Sequence, residues 1–512
     1  MLKYPANQSQ RQVTLVDDQP LIFIDNRYIH WVRNVTRRLN RPVKHDQAVL
    51  RNDQPWEHVL TTCGMSWNVV YDPKDKLFKC WYVDWDWNKW HEAKFMDCAL
   101  MLAVSRDGIQ WNKPACGVRK IDGHDTNIVL GRDDYGSIHA PTVFLDHLDS
   151  DPDRRFKIIF KRHRRRDSQP HEVFGNEIIC FEMMTSPDGI HWSAFEKSPL
   201  EPDILTGDVI IAQRDAVTGL ISVAGRSHAS WSSGAHPDDK SFFTPQEPAE
   251  SFGHNKRNVW WTQSGDGLAW SPAFQALRSD DHDNLDDQFY CLNHFRAGRL
   301  NLGLLNIFHT VDNTMDLELV YSEDNWRSWS RPFRNIRYID RGADQSDWDH
   351  LMMVCPSAPA VCNDHVYIFY GGANTHHDWW IHEDIGPDVP EKCNLDLVDY
   401  RLGLAKLRRD GFVSMDVGPL EGVLVTNPLQ RGGQRLAINA QCAPGGFIAT
   451  EIQETYGRAW PGYSRAQCDI FTGDDLEHIV SWTGNSDMKP TGDYLELAFY
   501  MKNAKLYSIS MK

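Results

Sequence analysis

Acidic side chains stand directly ahead of several apolar runs in this chain, and chemistry is sought there first. Asp286-Asp287-Gln288-Phe289-Tyr290 leads into one run, Asp347-Trp348-Asp349-His350 into another, and Glu57 follows Pro55-Trp56 ahead of residues 61–71. Neighbouring residues of a strand point to opposite faces, so only one of Asp286 and Asp287 can serve a given face, and Asp287 is preferred. A protonated and an ionised carboxyl together equip general acid–base and nucleophilic catalysis. Asp287, Asp349 and Glu57 are therefore the candidate catalytic acids. Asp208, at the head of residues 209–212, is a candidate ligand-binding acid. His139, before Ala140-Pro141, offers an imidazole that can bond a ligand hydroxyl or tune a carboxylate. Arg257 can pair with a carboxylate or another anion. Trp67 and Tyr290 supply aromatic faces, and His376 sits in the loop after Tyr370-Gly371-Gly372. No metal or cofactor is expected, because His376-His377 alone does not make a metal site and no CxxC pair occurs.

Such residues need a scaffold, and the sequence repeats one. Ser105-Arg-Asp107-Gly108-Ile-Gln-Trp111, Ser186-Pro-Asp188-Gly189-Ile-His-Trp192, Ser264-Gly-Asp266-Gly267-Leu-Ala-Trp270 and Ser322-Glu-Asp324-Asn325-Trp-Arg-Ser-Trp329 are near-copies of one segment. Arg408-Arg-Asp410-Gly411-Phe412 is a worn fifth. Repetition at long intervals marks a repeat architecture. Asp-Gly between apolar runs marks a tight hairpin, whose central residues are expected to take positive φ, with the Trp folding back as a plug. Three apolar runs precede each mark and one strand follows it, giving five units of four strands, a five-bladed β-propeller. The run over 21–25 is expected to help close the ring. Beyond the Pro/Gly-punctuated stretch 419–433, short runs without a hairpin mark predict a β-sandwich. The expected division is 1–420 for the propeller and 421–512 for the sandwich, all-β throughout.

Composition narrows the partners. A formal charge of −16 argues against nucleic acid. No apolar run is long enough to span a membrane, and the polar start lacks the apolar core of a secretory signal. Eleven scattered cysteines point to a reduced protein, so a cytoplasmic location is expected. Twenty tryptophans, including Trp81, Trp85, Trp87, Trp90 and Trp379-Trp380, suit either sugar stacking or packing between blades. The basic run Lys161-Arg-His-Arg-Arg-Arg166 would favour an anionic substrate if it borders the funnel.

The repeated Ser-x-Asp-Gly-x-x-Trp hairpins followed by a sandwich resemble the five-bladed propeller glycoside hydrolases of families 32, 43, 68 and 117. The plan resembles family 32 most. The short acidic motifs of family 32 are absent, with Ser66-Trp67-Asn68 and His139-Ala140-Pro141 standing where they would lie. The resemblance therefore implies fold and substrate class without assigning a subfamily or a catalytic residue. It implies a glycosidase acting on oligosaccharides, exo-acting because such funnels tend to be closed at one end, with two carboxyls in the funnel. A glycoside phosphorylase is the alternative, in which Arg257, Arg162 and His163 would meet phosphate. A non-catalytic carbohydrate-binding propeller is the other.

Overall fold

The computed structural model describes residues 14–60, 66–87, 97–132, 137–165, 177–196, 209–228, 257–381, 387–454, 457–488 and 492–512. Nearly all regular structure is β, in line with alternating apolar runs separated by turn residues. No helix among the described residues is long and apolar enough to cross a membrane.

Five antiparallel units follow one another along the chain. The first pairs Asn68–Asp72, Leu77–Trp85, Cys98–Ser105 and Trp111–Asn112. The second pairs Ser137–Leu145, Phe156–Arg165, Glu177–Ser186 and Ser193–Ala194. The third pairs Ile210–Arg214, Ile221–His228, Arg257–Ser264 and Phe274–Leu277. In the fourth, Asp287–Ala297, Leu300–His309 and Thr314–Ser322 form the ladder, with Tyr321 bridged to Ser330. In the fifth, Met352–Val354 and Ala360–Cys362 lie against one side of His365–Ala373, and Tyr400–Arg408 lies on the other.

Hydrogen bonds from the first or second strand of each unit reach the next, and the links return to their origin. Asn68 Nδ2 donates to the Pro141 carbonyl at 3.0 Å, and Asn68 Oδ1 accepts from Val143 N at 3.0 Å. Ala212 N donates to Thr142 Oγ1 at 2.9 Å. His294 Nε2 lies 2.7 Å from Ser222 Oγ; burial lowers this imidazole's pKa to about 3, so it bridges the third and fourth units uncharged. Cys355 N donates to Asn306 Oδ1 at 2.8 Å, and Ser357 Oγ accepts from Val69 N at 2.8 Å. The contacts therefore run from unit one through five and back to one.

The hairpin marks make a second set of links. In three copies the Ser Oγ accepts from the Gly N–H at 2.8–2.9 Å, and the Asp Oδ1 accepts the next two backbone N–H groups. Only the glycine takes positive φ, 75–81°. The Asp, expected to share that conformation, keeps ordinary backbone and acts through its carboxylate instead. Trp111 and Trp270 fold back as plugs, each donating Nε1–H to its own glycine carbonyl at 3.1 Å. Each turn also seats on the preceding unit. Trp81 Nε1 of the first unit donates to the Gly189 carbonyl at 2.7 Å, and a Cβ on Gly189 would stand 2.2 Å from Trp81 Cζ2. Trp326 stacks on Trp261, Phe412 packs on Phe295, and Trp111 of the first unit meets Phe369 of the fifth.

Two expectations about the chain ends are corrected. The strand after the fifth hairpin, Val413–Val417, leaves its unit and pairs with Thr36–Leu39 and Tyr494–Met511. Its place beside Tyr400–Arg408 is taken by Val43–Lys44 from the N-terminal region. Leu21–Ile22, expected to help close the ring, instead pairs with Ser508 and Ile509. The N-terminal strands between residues 14 and 39 thus share a ten-stranded sheet with those between 413 and 511, crossing the expected division at residue 420. Its centre is the antiparallel pair Leu436–Gln453 and Tyr494–Met511, with Phe23, Ile438, Ile448, Trp482 and Phe499 in the adjoining core.

Candidate active site

Asp287 opens a strand of the fourth unit opposite its cross-strand partner His309. His309 Nδ1 lies 2.7 Å from Asp287 Oδ1, and Nε2 lies 3.0 Å from Asp316 Oδ2. Asp316 Oδ1 continues the chain to Arg337 at 2.9 Å and Arg341 at 3.0 Å. Asn284 donates to Asp287 Oδ2 through both its backbone N and Nδ2, each at 3.1 Å. Burial alone would lower the His309 pKa, but the bonds and charges of the two acids outweigh it and raise it to about 9. Burial would raise the Asp287 carboxyl, yet the His309 bond takes it below the usual range. At neutral pH the pair is therefore a carboxylate held by an imidazolium.

This pair lines a cavity of about 440 Å³ with Asp286, Asp312 and Arg341. Strand alternation predicted that Asp286 and Asp287 would diverge. They do not, because Asp286 belongs to the turn ahead of the strand. Ligating atoms of Asp286, Asp287 and His309 all lie within 4.8 Å of one another. A cation would need a lone pair on His309, and an imidazolium bonded through both nitrogens has none to give. The arrangement suits acid–base chemistry better than metal binding.

The next rung of the same ladder pairs Gln288 with Phe308. Arg257 Nη1 donates to Gln288 Oε1 at 2.6 Å. Tyr290 is buried, with the Arg226 and Arg257 guanidinium carbons 4.1 and 5.6 Å from its ring centre. His377 packs 4.9 Å from Tyr290 and 4.3 Å from Phe308. Burial holds His377 below the ordinary imidazole pKa; Asp378 opposes that shift, and the two arginines reinforce it. Arg226 and Arg257 come from the third unit, Tyr290 and Phe308 from the fourth, and His377 from the loop after the fifth unit's His365–Ala373. Tyr290 and Arg257, selected from sequence, thus meet on the Gln288 and Phe308 face of the sheet, whereas Asp287 and His309, one rung away, occupy the opposite face and a cavity lined by residues between 284 and 341.

Glu57 and Asp349, the other two candidate acids, each carry contacts that join separate parts of the fold. Glu57 Oε1 accepts from Tyr82 OH at 2.6 Å. Its Oε2 accepts from Lys113 Nζ at 2.7 Å and from the Asp53 and Gln54 N–H groups at 3.0 Å. Asp349 Oδ2 accepts from Lys44 Nζ at 2.8 Å and Tyr370 OH at 3.0 Å, anchoring the N-terminal strand to the fifth unit. Neither network shares a residue with that of Asp287. Trp67 is corrected: its ring is fully buried against Tyr82, so no ligand can stack on it. His139 lies on the second unit's first strand beside a bulge, where Ala140 takes φ 46° before Pro141. Backbone strain of that kind concentrates at functional positions. His376 pairs with Glu391, stacks on Trp379 and borders a separate cavity of about 530 Å³. Asp208 lies outside the described residues, as do the side chains of Arg162 and His163.

Sequence reasoning passed over several neighbours. His309 and Asp316 lie at the ends of adjoining apolar runs, and only the sheet register brings them to Asp287. Arg226 stands alone in a strand, with no local signal. Asp84, in the strand Leu77–Trp85, and Asp86, just past its end, are two further acids among the tryptophans. Asp84 is tied to His58 and Arg132. Trp85, Trp87 and Trp380 pack together buried, joining the first and fifth units.

No family model matches the chain, and no curated protein matches it. Solved structures do. A structure named "Glycoside hydrolase" covers 72% of this chain and 92% of its own at 11% identity, with a TM-score of 0.47. A beta-1,2-mannobiose phosphorylase from Listeria innocua covers 72% and 97% at 10% identity and a TM-score of 0.43. A Bombyx mori GH32 beta-fructofuranosidase covers 92% and 95% at 11% identity and a TM-score of 0.41. At this level of overlap no residue's role passes from them to this chain.

Proposed function

We propose that this chain is a carbohydrate-active enzyme that cleaves glycosidic bonds, built as a five-bladed β-propeller beside a β-sandwich formed by both chain ends. The observation that carries the reading is a cavity on the fourth unit where Asp286 and Asp287 stand together, with the Asp287 carboxylate held by His309. Two circles of inter-unit contacts, through the first and second strands and through the hairpin plugs, support the ring. Asp287 acts as nucleophile or base, and Asp286 is the second carboxyl on the same cavity. Their oxygens, within 4.8 Å, fit a nucleophilic role better than one leaving room for water, which needs about 6.5–9.5 Å. Retention of anomeric configuration follows. Exo action on oligosaccharides in a reducing, cytoplasmic setting completes the reading, in keeping with free cysteines at buried positions such as Cys80, Cys98, Cys291 and Cys355.

Phosphorolysis is the second reading, favoured by the paired guanidiniums of Arg226 and Arg257. The test is product release from aryl glycosides and from plant and algal oligosaccharides, with and without phosphate, followed by NMR of the anomeric proton. Sugar released with retention, and lost in Asp287→Asn, supports hydrolysis. Release only with phosphate replaces water by phosphate as acceptor. Binding without release across the panel overturns catalysis and leaves a sugar-binding protein.

A further inference from the structure

We infer that the cavity of about 530 Å³ on the fifth unit binds a further sugar residue of an uncharged glycan, as a subsite beside the Asp287 cavity. This rests on the glycan-cleaving reading and names where the rest of the substrate lies. The two cavities are neighbours. Arg341 lines the first and donates Nη1–H to the Leu351 carbonyl at 3.0 Å, and Leu351 lines the second. The second cavity has an aromatic wall in Trp348, whose indole stacks on Tyr370 with 5.8 Å between ring centres. Gly372 lets the indole lie there, since a Cβ would stand 2.8 Å from Trp348 Cζ3. A ring already fixed in place costs a ligand no ordering, and its apolar surface suits the C–H face of a sugar.

Hydrogen-bond acceptors stand around that wall. Asp347 Oδ2 accepts from Ala343 N at 2.6 Å, and Asp399 Oδ2 takes both bonds from Arg401. Glu391, only 6% exposed, accepts through Oε1 from the His376 backbone N–H at 3.1 Å and pairs there with the His376 ring. Each acid thus engages one oxygen in the fold. No other described residue donates to Asp347 Oδ1, Asp399 Oδ1 or Glu391 Oε2, and such oxygens suit hydroxyl donors. With Asp396 the lining holds four acids against one histidine and one arginine, the arginine already paired with Asp399. That balance opposes a carboxylate or a phosphate. Nor do these acids gather tightly enough to hold an ion; among the described residues only Asp286, Asp287 and His309 do. An aromatic wall, unengaged acceptors and an acidic balance together select a neutral, hydroxyl-rich ring.

Titration calorimetry on the full chain tests this, with cellotriose, xylotriose, mannotriose and laminaritriose as neutral probes and trigalacturonate as the acidic one. At least one neutral trisaccharide binds and trigalacturonate does not. Trp348→Ala and Asp347→Asn, which turns one carboxylate oxygen into an N–H donor, each lower that affinity at least about tenfold. Trp348→Phe, which keeps a smaller aromatic wall, falls between. The thermal melting of each variant is checked first, and Trp348→Phe with Asp347→Asn carries the test if Trp348→Ala does not fold. On a trisaccharide that is cleaved, kcat/KM falls at least about tenfold further than on an aryl glycoside of one sugar, which ends short of the subsite. Absence of binding by every neutral trisaccharide, or affinity unchanged in both Trp348→Phe and Asp347→Asn, overturns the subsite. Equal losses on the two substrates overturn it too. Trigalacturonate bound more tightly than the neutral probes overturns the uncharged ligand. Cleavage of aryl glycosides that persists alongside any of those results leaves the enzyme reading standing. Binding that the variants weaken, with no cleavage of any glycan, keeps the sugar-binding cavity and removes the enzyme.

Discussion

Glu57 in the first unit and Asp287 in the fourth are both acids beside the start of a strand, and both are buried, 7% and 1% exposed. Burial therefore does not separate them; their partners do. Glu57 is answered by a lysine, a tyrosine hydroxyl and two backbone N–H groups of its own loop. Together they donate four hydrogen bonds, three of them to Oε2. Asp287 is answered by one imidazolium and one asparagine on the wall of an open cavity. A buried acid is a fastener when fixed donors saturate it, and a candidate reagent when its partner can itself exchange a proton.

The comparison can be broken most directly by Asp287→Asn. Glycan cleavage per folded molecule is expected to fall about 10³-fold, the range of a lost acid–base group. Activity retained within about tenfold would move the chemistry elsewhere. Glu57→Gln should do the reverse. Removing one partner of a buried ion pair costs about 3 kcal/mol, seen as a lower urea midpoint, while turnover per folded molecule is unchanged.

The pH dependence sharpens the contrast. The folded His309 pKa, about 9, lies above its ordinary value of about 6.5. Its contribution to stability is thus complete below about 6.5 and disappears as pH rises through about 9. Urea midpoints measured from pH 7 to 10 should fall in the native chain, and His309→Gln should flatten that part of the curve. An identical slope in both proteins would remove His309 from the account. On the acid side, Asp287 and Asp316 are both held below the usual carboxylate range, so their contribution is lost as pH drops below about 4. The smallest effect belongs to Asp53→Asn. Asp53 meets the same Lys113 as Glu57 but stands half in solvent, so the change should cost no more than about 1 kcal/mol by urea denaturation.

The hairpin units were legible because their geometry is local. Ser and Asp bond backbone N–H groups two to three residues ahead, and the glycine supplies the one positive φ, so seven residues carry the whole instruction. The chain ends were not legible. Alternation places Leu21 and Ile22 in a strand but cannot say that their partners are Ser508 and Ile509. The same distance in sequence hid the fate of the acids. Asp349 looks available until Lys44 arrives from the N-terminal region, and Asp287 gains His309 and Asp316 only through register. Asp286 was misjudged for a different reason, since a period-two rule was applied one residue before the strand begins.

The last unit's outer position is filled by Val43–Lys44. During synthesis that segment leaves the ribosome ahead of the five units, whereas Tyr400–Arg408, its partner, follows only after four of them have emerged. Residues 14–39 wait longer still, for strands between 413 and 511. The nascent chain must therefore carry an unpaired, edge-forming segment while the five units are made, the condition under which exposed strands find wrong partners. Removing residues up to 44 would strip Tyr400–Arg408 of its edge partner, and removing those beyond 493 would strip Leu436–Gln453 of its own, so a product shortened at either side should be a substrate for chaperones and proteases.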